Sequence, residues 1–118
     1  MPLYQLGVCY AADAVQPEPA ALEAIMRDVS AVGEEMVAAG VWVFSGGLTD
    51  RSSATTVFEQ DGQPVITDGP FVETKEQIGG YSLVDVADLD EAIVWARKIS
   101  AATTTPIEIR PFLHATTK

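Results

Sequence analysis

The chain has 118 residues, a length that corresponds to about one domain built on a single hydrophobic core. Its hydrophobic content of 47% and charged content of 20% are ordinary for a globular protein and exclude the disordered and fibrous classes. Seventeen acidic against seven basic residues give a net charge of −10, which repels phosphate backbones and argues against direct binding of DNA or RNA.

Neither a membrane anchor nor a cofactor motif is found in the sequence. No apolar run reaches the roughly 20 residues needed to span a bilayer, and no basic leader precedes the first apolar run, so we expect a cytoplasmic protein. One cysteine, Cys9, and one histidine, His114, cannot form a zinc cluster within one chain, and we expect Cys9 to be a buried, unreactive thiol. The glycine pairs at 46–47 and 79–80 lie outside any strand-GxGxxG-helix unit, which argues against a dinucleotide cofactor.

The first third of the chain predicts a strand and a long helix. Leu3–Tyr10 is a short aromatic and apolar run, typical of a strand. From Ala20 onward apolar residues recur at helical spacing for about five turns, and Gly40 follows as a left-handed end. Gly33, inside this helix, lowers its stability by about 1 kcal/mol relative to Ala unless close packing requires it. The apolar stripe consists of Leu22, Ile25, Met26, Val29, Val32, Met36 and Val37.

The middle of the chain predicts strands and a hairpin. Val41–Phe44 is typical of a second buried strand. The segments 54–59 and 64–67 flank a turn at Asp61-Gly62, a pairing that favours a β-hairpin. Gly80–Val86 predicts a further strand.

The last third predicts a helix and a strand. Asp88 and Glu91 have the spacing of a capping-box variant for a helix over 89–100. Trp95 lies slightly off the apolar stripe, so we expect it to cover the core edge or an interface. The segment 107–112 alternates as a final strand. The inner face of the helix comprises Leu89, Ala92, Ile93, Ala96 and Ile99.

This order of elements predicts an α+β, ferredoxin-like (split βαβ) fold: an antiparallel sheet with two helices on one face and an inserted β-hairpin. The helices leave the other face of the sheet uncovered. Because an apolar sheet face is unfavourable in water, we expect a second copy to cover it in a homodimer.

The segment 67–81, TDGPFVETKEQIGGY, carries most of the candidate chemistry. Asp68 precedes a stiff Gly-Pro pair, an arrangement that suits a catalytic or ligand-facing carboxylate and equally a structural one. Lys75 belongs to a solvated charge run or anchors an anionic ligand. Arg110, in the last strand, either pairs with an acid such as Asp68 or presents its guanidinium to a carboxylate ligand.

Aromatic residues form the second group of candidates. Phe71 and Tyr81, with Trp42 and Phe44, either line a ligand pocket or belong to the core. His114 lies near the C-terminus, where we expect an exposed side chain unless it reaches a partner's cleft. A Ser-His-Asp triad, which would recruit His114 to Ser45 or Ser82, is poorly supported.

Three stretches carry a resemblance to a known family: TDGPFVETKEQIGGY, DLDEAIVWA and IEIRP. They resemble the DGPF-domain proteins of the YCII-related superfamily, and the resemblance implies a single domain over residues 1–118 of the dimeric α+β barrel type. The biochemical role of that family is largely unknown. Its members are often encoded beside extracytoplasmic-function sigma factors, and related YCII proteins have a proposed His and Asp pair that this sequence lacks in matching positions.

Three functional hypotheses follow. The first is a small anionic or aromatic molecule bound near Asp68 to Tyr81 by Asp68, Phe71, Lys75, Tyr81 and Arg110. The second is a regulatory interaction module that docks a partner such as a sigma factor. The third is an isomerase or lyase with Asp68 as catalytic base and Arg110 or Lys75 holding an oxyanion.

Overall fold

The computed structural model describes residues 2–69 and 76–116. Phe71 and Lys75 therefore lie outside the described residues. In chain order the elements are β1 Leu3–Ala11, α1 Pro19–Ala38, β2 Trp42–Gly47, a 3₁₀ turn Arg51–Ser53, β3 Thr55–Gln60, β4 Gln63–Asp68, β5 Glu76–Asp85, α2 Leu89–Thr103 and β6 Ile107–Pro111.

Four strands form one antiparallel sheet in the order β2-β5-β1-β6, and β3 pairs with β4 in a separate hairpin. Each helix connects strands that have another strand between them, which is the split βαβ arrangement. The α+β, ferredoxin-like fold with an inserted hairpin is therefore confirmed. Neither described helix is long and apolar enough to cross a membrane.

Helix α1 ends as its glycine predicts. Gly40 has φ +74°, and the N–H groups of Gly40 and Val41 donate to Val37 O and Met36 O at 3.0 and 3.1 Å. This is the Schellman pattern, which satisfies carbonyls left free at a helix end. Val41 and Met36 are both buried in the core, so the turn also directs the chain into β2 against the sheet.

The core lies between the sheet and both helices. Tyr4 and Leu6 of β1 and Val84 of β5 are buried against residues of α1 and α2. Trp95 is only 9% exposed and belongs to this core rather than to its edge, because the buried stripe of α2 runs through it. That stripe comprises Ala92, Trp95, Ala96, Ile99 and Ala102.

The N-terminus of α2 is capped as its sequence indicates. Asp88 Oδ1 accepts from Glu91 N at 2.9 Å, and Glu91 Oε1 accepts from Ala87 N at 3.1 Å. The paired bonds satisfy a free N–H of the first turn and fix the entry of the chain. The prediction that Leu89 and Ile93 face inward is wrong, because the buried stripe is rotated toward Trp95 and leaves both exposed.

Strand β2 differs from its prediction. It begins at Trp42 and continues through Gly47, because the Ser-Gly-Gly segment still pairs with β5. Val41 is buried, but Trp42, Val43 and Phe44 are exposed in the single chain, so the prediction of a wholly buried strand is wrong. The strand lies at the edge of the sheet, and no strand of residues 2–69 and 76–116 pairs with its other side.

The β3–β4 hairpin turns at Asp61 and Gly62, which both have positive φ, of 51° and 77°. This backbone suits the Asp-Gly pair that predicted it. The radius of gyration is 16.2 Å, larger than the roughly 13.5 Å of a compact chain of this length. The difference agrees with a hairpin that extends away from the main sheet.

Replacing Leu6 with Ala tests the core. Leu6 is completely buried, so Leu6→Ala leaves a cavity and should lower the free energy of unfolding by about 2–5 kcal/mol. Leu113, which is 96% exposed, provides a matched control, and Leu113→Ala should change stability by less than about 0.5 kcal/mol. Urea unfolding followed by circular dichroism measures both, and equal effects would contradict this assignment of the core.

Candidate functional site

A groove of about 740 Å³ lies between helix α1 and the β2–β5 edge of the sheet. Its wall on the helix side includes Met26, Val29 and Val37 of α1. Val8 of β1 and Ile99 of α2 also contribute to its lining. This volume lies within the range of small-molecule sites, and the lining is mainly apolar. We refer to this cavity as the groove.

Small residues in the sheet explain why the groove exists. Along the sheet, Leu6 pairs with Ser82 and Ser82 with Ser45; the next row is Val8, Gly80 and Gly47. One row back, Tyr4 pairs with Val84, and both side chains are buried against the helices. Serine and glycine are too small to fill the space that Val84 fills beside Tyr4, so a cavity opens between helix α1 and the sheet.

A short chain of hydrogen bonds forms the polar part of the groove. Trp42 Nε1 donates to Ser45 Oγ at 2.9 Å, and Ser45 Oγ shares a hydrogen bond with Ser82 Oγ, also at 2.9 Å. All three residues line the groove. We call Trp42, Ser45 and Ser82 the polar cluster, which places hydroxyl groups at one position in an otherwise apolar cavity.

Gly33 lies on the groove side of α1. A Cβ added at Gly33 would have no atom within 4 Å, and the residue lines the groove. Close helix packing therefore does not require this glycine, although it weakens the helix by about 1 kcal/mol relative to alanine. Its effect on the structure is to keep the groove wide at this point.

Charged groups are sparse around the groove. Glu34 and Tyr81 are the ionisable residues in its lining, and no lysine or arginine of the described segments is among them. Lys98, on α2, lies instead 3.0 Å from Glu35 in an exposed ion pair. The groove therefore offers an anion no compensating positive charge within the described part of the chain.

The candidate residues that the structure describes lie on different elements. Tyr81 lines the groove. Asp68 is the exposed last residue of β4, paired with Thr55 in the hairpin, whereas Arg110 is exposed on edge strand β6 opposite Gln5. The ion pair found between described side chains joins Lys98 to Glu35, so Asp68 and Arg110 do not form one. His114 is exposed.

Trp42 and Tyr81, two of the aromatic candidates, direct their rings to opposite faces of the sheet. Trp42 lines the groove, and Tyr81 contributes to the same lining. The rings of Tyr81 and Phe44 lie with centroids 5.9 Å apart, as neighbouring aromatic side chains. Alternation along β5 places Ser82 on the helix face and the Tyr81 ring on the face opposite the helices.

A smaller cavity of about 260 Å³ lies beside the 3₁₀ turn and is lined by Tyr10, Leu48, Asp50 and Arg51 among others. The hydroxyl and backbone N–H of Ser52 donate to Asp50 and lower its pKa. These bonds stabilise the turn at pH values above the unfolded pKa of Asp50 and are lost as the pH falls through the lowered one. This cavity therefore has a structural acid at its edge.

Cys9 is half-buried and free, not fully buried as its apolar strand suggested. Its thiol lies 3.7 Å from Gly7 O. In residues 2–69 and 76–116, no group of three His, Cys, Asp or Glu side chains is placed to hold a metal ion.

Sequence reasoning did not identify the groove. The exposed fractions of Met26 and Val37 are 58% and 59%, because these residues flank the groove instead of packing on the sheet. A signal was present in the sequence: an apolar helix stripe wider than the core requires, opposite strands that contain Ser45-Gly-Gly and Gly-Gly-Tyr-Ser82. That combination indicates unfilled space between the layers.

The fold and the groove define a ferredoxin-like α+β protein with a small-molecule-sized cavity between its helices and sheet. The chain belongs to the YCII-related domain family, whose pattern matches residues 5–115. It is similar to an uncharacterized protein of Rhizobium meliloti (strain 1021), with 43% identity over 91 residues that cover 75% of this chain and 73% of the relative. The family resemblance of the DGPF segment is thus confirmed.

Substitution of Gly80 tests why glycine lies beside the groove. A Cβ at Gly80 would be 2.7 Å from Gly46 O, so Gly80→Ala forces β2 away from β5 and should lower stability by about 1–3 kcal/mol. A Cβ at Gly47 meets nothing within 4 Å, so Gly47→Ala should change stability by less than about 0.5 kcal/mol. Thermal unfolding of both variants checks this, and equal stabilities would contradict the close strand approach.

Proposed function

We propose that the protein binds a small, largely apolar molecule, such as an aromatic compound, in the groove. The observation that carries this proposal is the groove itself: about 740 Å³ of space with apolar walls and the polar cluster at one side. Small-molecule sites commonly combine apolar walls with a few placed polar groups. A helix glycine that packing does not require, Gly33, supports the same proposal because it keeps this space open.

Binding is favoured over catalysis by the groups available. An isomerase or lyase needs a base or acid beside its substrate, and Asp68, the base that the sequence suggested, does not line the groove. The lining contains Glu34, which is exposed at the helix surface, and Tyr81, whose ring lies on the other face of the sheet. The described lining therefore has the apolar walls and hydroxyl groups that binding requires. It lacks Asp68, the base that the isomerase or lyase reaction would require.

We also propose that the protein assembles as a homodimer through its uncovered surfaces. In the hairpin, Val57 pairs with Ile66 and Phe58 with Val65, so each face of the hairpin has an exposed apolar pair. A two-stranded hairpin is marginally stable alone in water. Packing against a second copy would cover the hairpin together with the open sheet face around Phe44.

The first test of this function is a substitution that fills the groove. Gly33→Leu places a side chain in open space on α1, so the protein should stay folded while binding in the groove is lost. The indole N–H resonance of Trp42, assigned with Trp42→Phe, reports binding of a library of small aromatic compounds by nuclear magnetic resonance. Ala31→Leu, at an exposed position of the same helix, is the matched control and should bind as the wild type does.

Two results would overturn the groove proposal. One is a broad library that never moves the Trp42 resonance in the wild type. The other is binding that persists unchanged in Gly33→Leu, since the ligand would then lie elsewhere.

The assembly is tested with Ile66→Lys. Ile66 is 64% exposed on the hairpin, and a lysine there would be buried without a partner in the dimer, which should weaken association at least about tenfold. Val15, which is 91% exposed between β1 and α1, provides the control Val15→Lys. Analytical ultracentrifugation measures both. A wild-type monomer at micromolar concentration would contradict the homodimer and favour a docking partner, such as a sigma factor, for the hairpin.

A further inference from the structure

The polar cluster has one more proton than its internal hydrogen bonds use. Trp42 brings one N–H, and Ser45 and Ser82 bring one O–H each. Two of these three protons form the two internal hydrogen bonds, whichever serine is the donor in the second. Neither hydroxyl has a further partner among residues 2–69 and 76–116, so one O–H remains available.

The available O–H belongs to the groove, because both serines line it. In the free protein, water can accept this hydrogen bond. A ligand that fills the groove displaces that water, and a pure hydrocarbon would leave the hydroxyl without an acceptor. A ligand with a carbonyl or ether oxygen at this position replaces the lost bond.

The charges around the groove favour an uncharged ligand. A carboxylate would find no lysine or arginine among the described lining residues, while Glu34 and the net charge of −10 repel it. An ammonium group has no lone pair to accept the serine proton. Its attraction to Glu34 is weak because that side chain is exposed to solvent.

We infer that the groove selects an uncharged, largely apolar molecule with one hydrogen-bond acceptor, such as a ketone or ester carbonyl, and that Ser45 and Ser82 bind this acceptor. The inference rests on the proposed function and names the chemical class of its ligand. Met26, Val29 and Val37 provide the apolar contact surface for the rest of the molecule.

Four naphthalene probes of similar shape separate the contribution of the hydrogen-bond acceptor from that of ligand charge. They are 2-acetylnaphthalene, 2-ethylnaphthalene, 2-naphthoate and 2-(aminomethyl)naphthalene. Isothermal titration calorimetry and the Trp42 indole resonance give their dissociation constants with the wild-type protein. The ketone should bind about five-fold tighter than the hydrocarbon, the difference that one neutral hydrogen bond makes. The carboxylate and the amine should both bind more weakly than the ketone.

Serine variants provide the matched controls. Ser45→Ala and Ser82→Ala each leave one serine hydroxyl, so each should keep a preference for the ketone over the hydrocarbon. The triple variant Trp42→Phe/Ser45→Ala/Ser82→Ala removes both hydroxyls and also the indole N–H, which would otherwise lose its acceptor with Ser45 and become a free donor. Calorimetry should show that it binds the two probes within about two-fold of each other. Binding of the hydrocarbon itself should persist, which shows that the groove is intact.

The outcomes distinguish this inference from the proposed function. Equal binding of ketone and hydrocarbon by the wild type, or a ketone preference that survives in the triple variant, overturns the inference and leaves groove binding standing. Tightest binding of the carboxylate or the amine overturns the uncharged class. If all four probes fail but Gly33→Leu abolishes binding of other library compounds, the inference is overturned and the proposed function remains.

Discussion

Side-chain volume on the helix-facing side of strands β1 and β5 determines how the two layers of this protein meet. Where Tyr4 and Val84 pair, the layers are filled and both residues are buried. Two rows along, Val8 pairs with Gly80, and the same layers enclose a groove. Because helices are stiff over several turns, α1 cannot bend down to fill the gap left by small residues. One sheet therefore supports a packed core at one end and a cavity at the other.

Helix α1 contributes residues both to the packed core and to the wall of the groove. Its last turn carries Met36 into the core, next to the Schellman turn that directs Val41 toward the sheet. Its earlier turns carry Met26 and Gly33 past the groove. Val37 of the last turn also lines the groove, so the helix borders the cavity along much of its length. Methionine suits such a wall, because its flexible side chain can adapt to different neighbours.

The fold was predictable because several local signals agreed on it. The Asp61-Gly62 turn, the Gly40 helix end and the Asp88 cap each depend on residues close in sequence, and all three occur. The groove and the position of Trp95 depend on which residues of different elements share a row. Periodicity in one helix gives the width of its apolar face, and it cannot separate residues that pack on the sheet from those that border a cavity. Exposure of Phe44 likewise depends on the sheet edge, a tertiary property.

The DGPF segment shows why sequence reasoning did not point to the groove. Asp68 ends β4 in the hairpin and Tyr81 lies within β5 of the main sheet, so candidates that are close in sequence belong to different structural units. Asp68, Lys75 and Arg110 are conspicuous in the sequence because charged side chains suggest chemistry. The groove forms where the small residues glycine and serine lie opposite an apolar helix. In the proposed binding mode its selectivity comes from the few polar atoms that remain, because two serine hydroxyls beside an indole N–H can distinguish a carbonyl from a hydrocarbon without any charge.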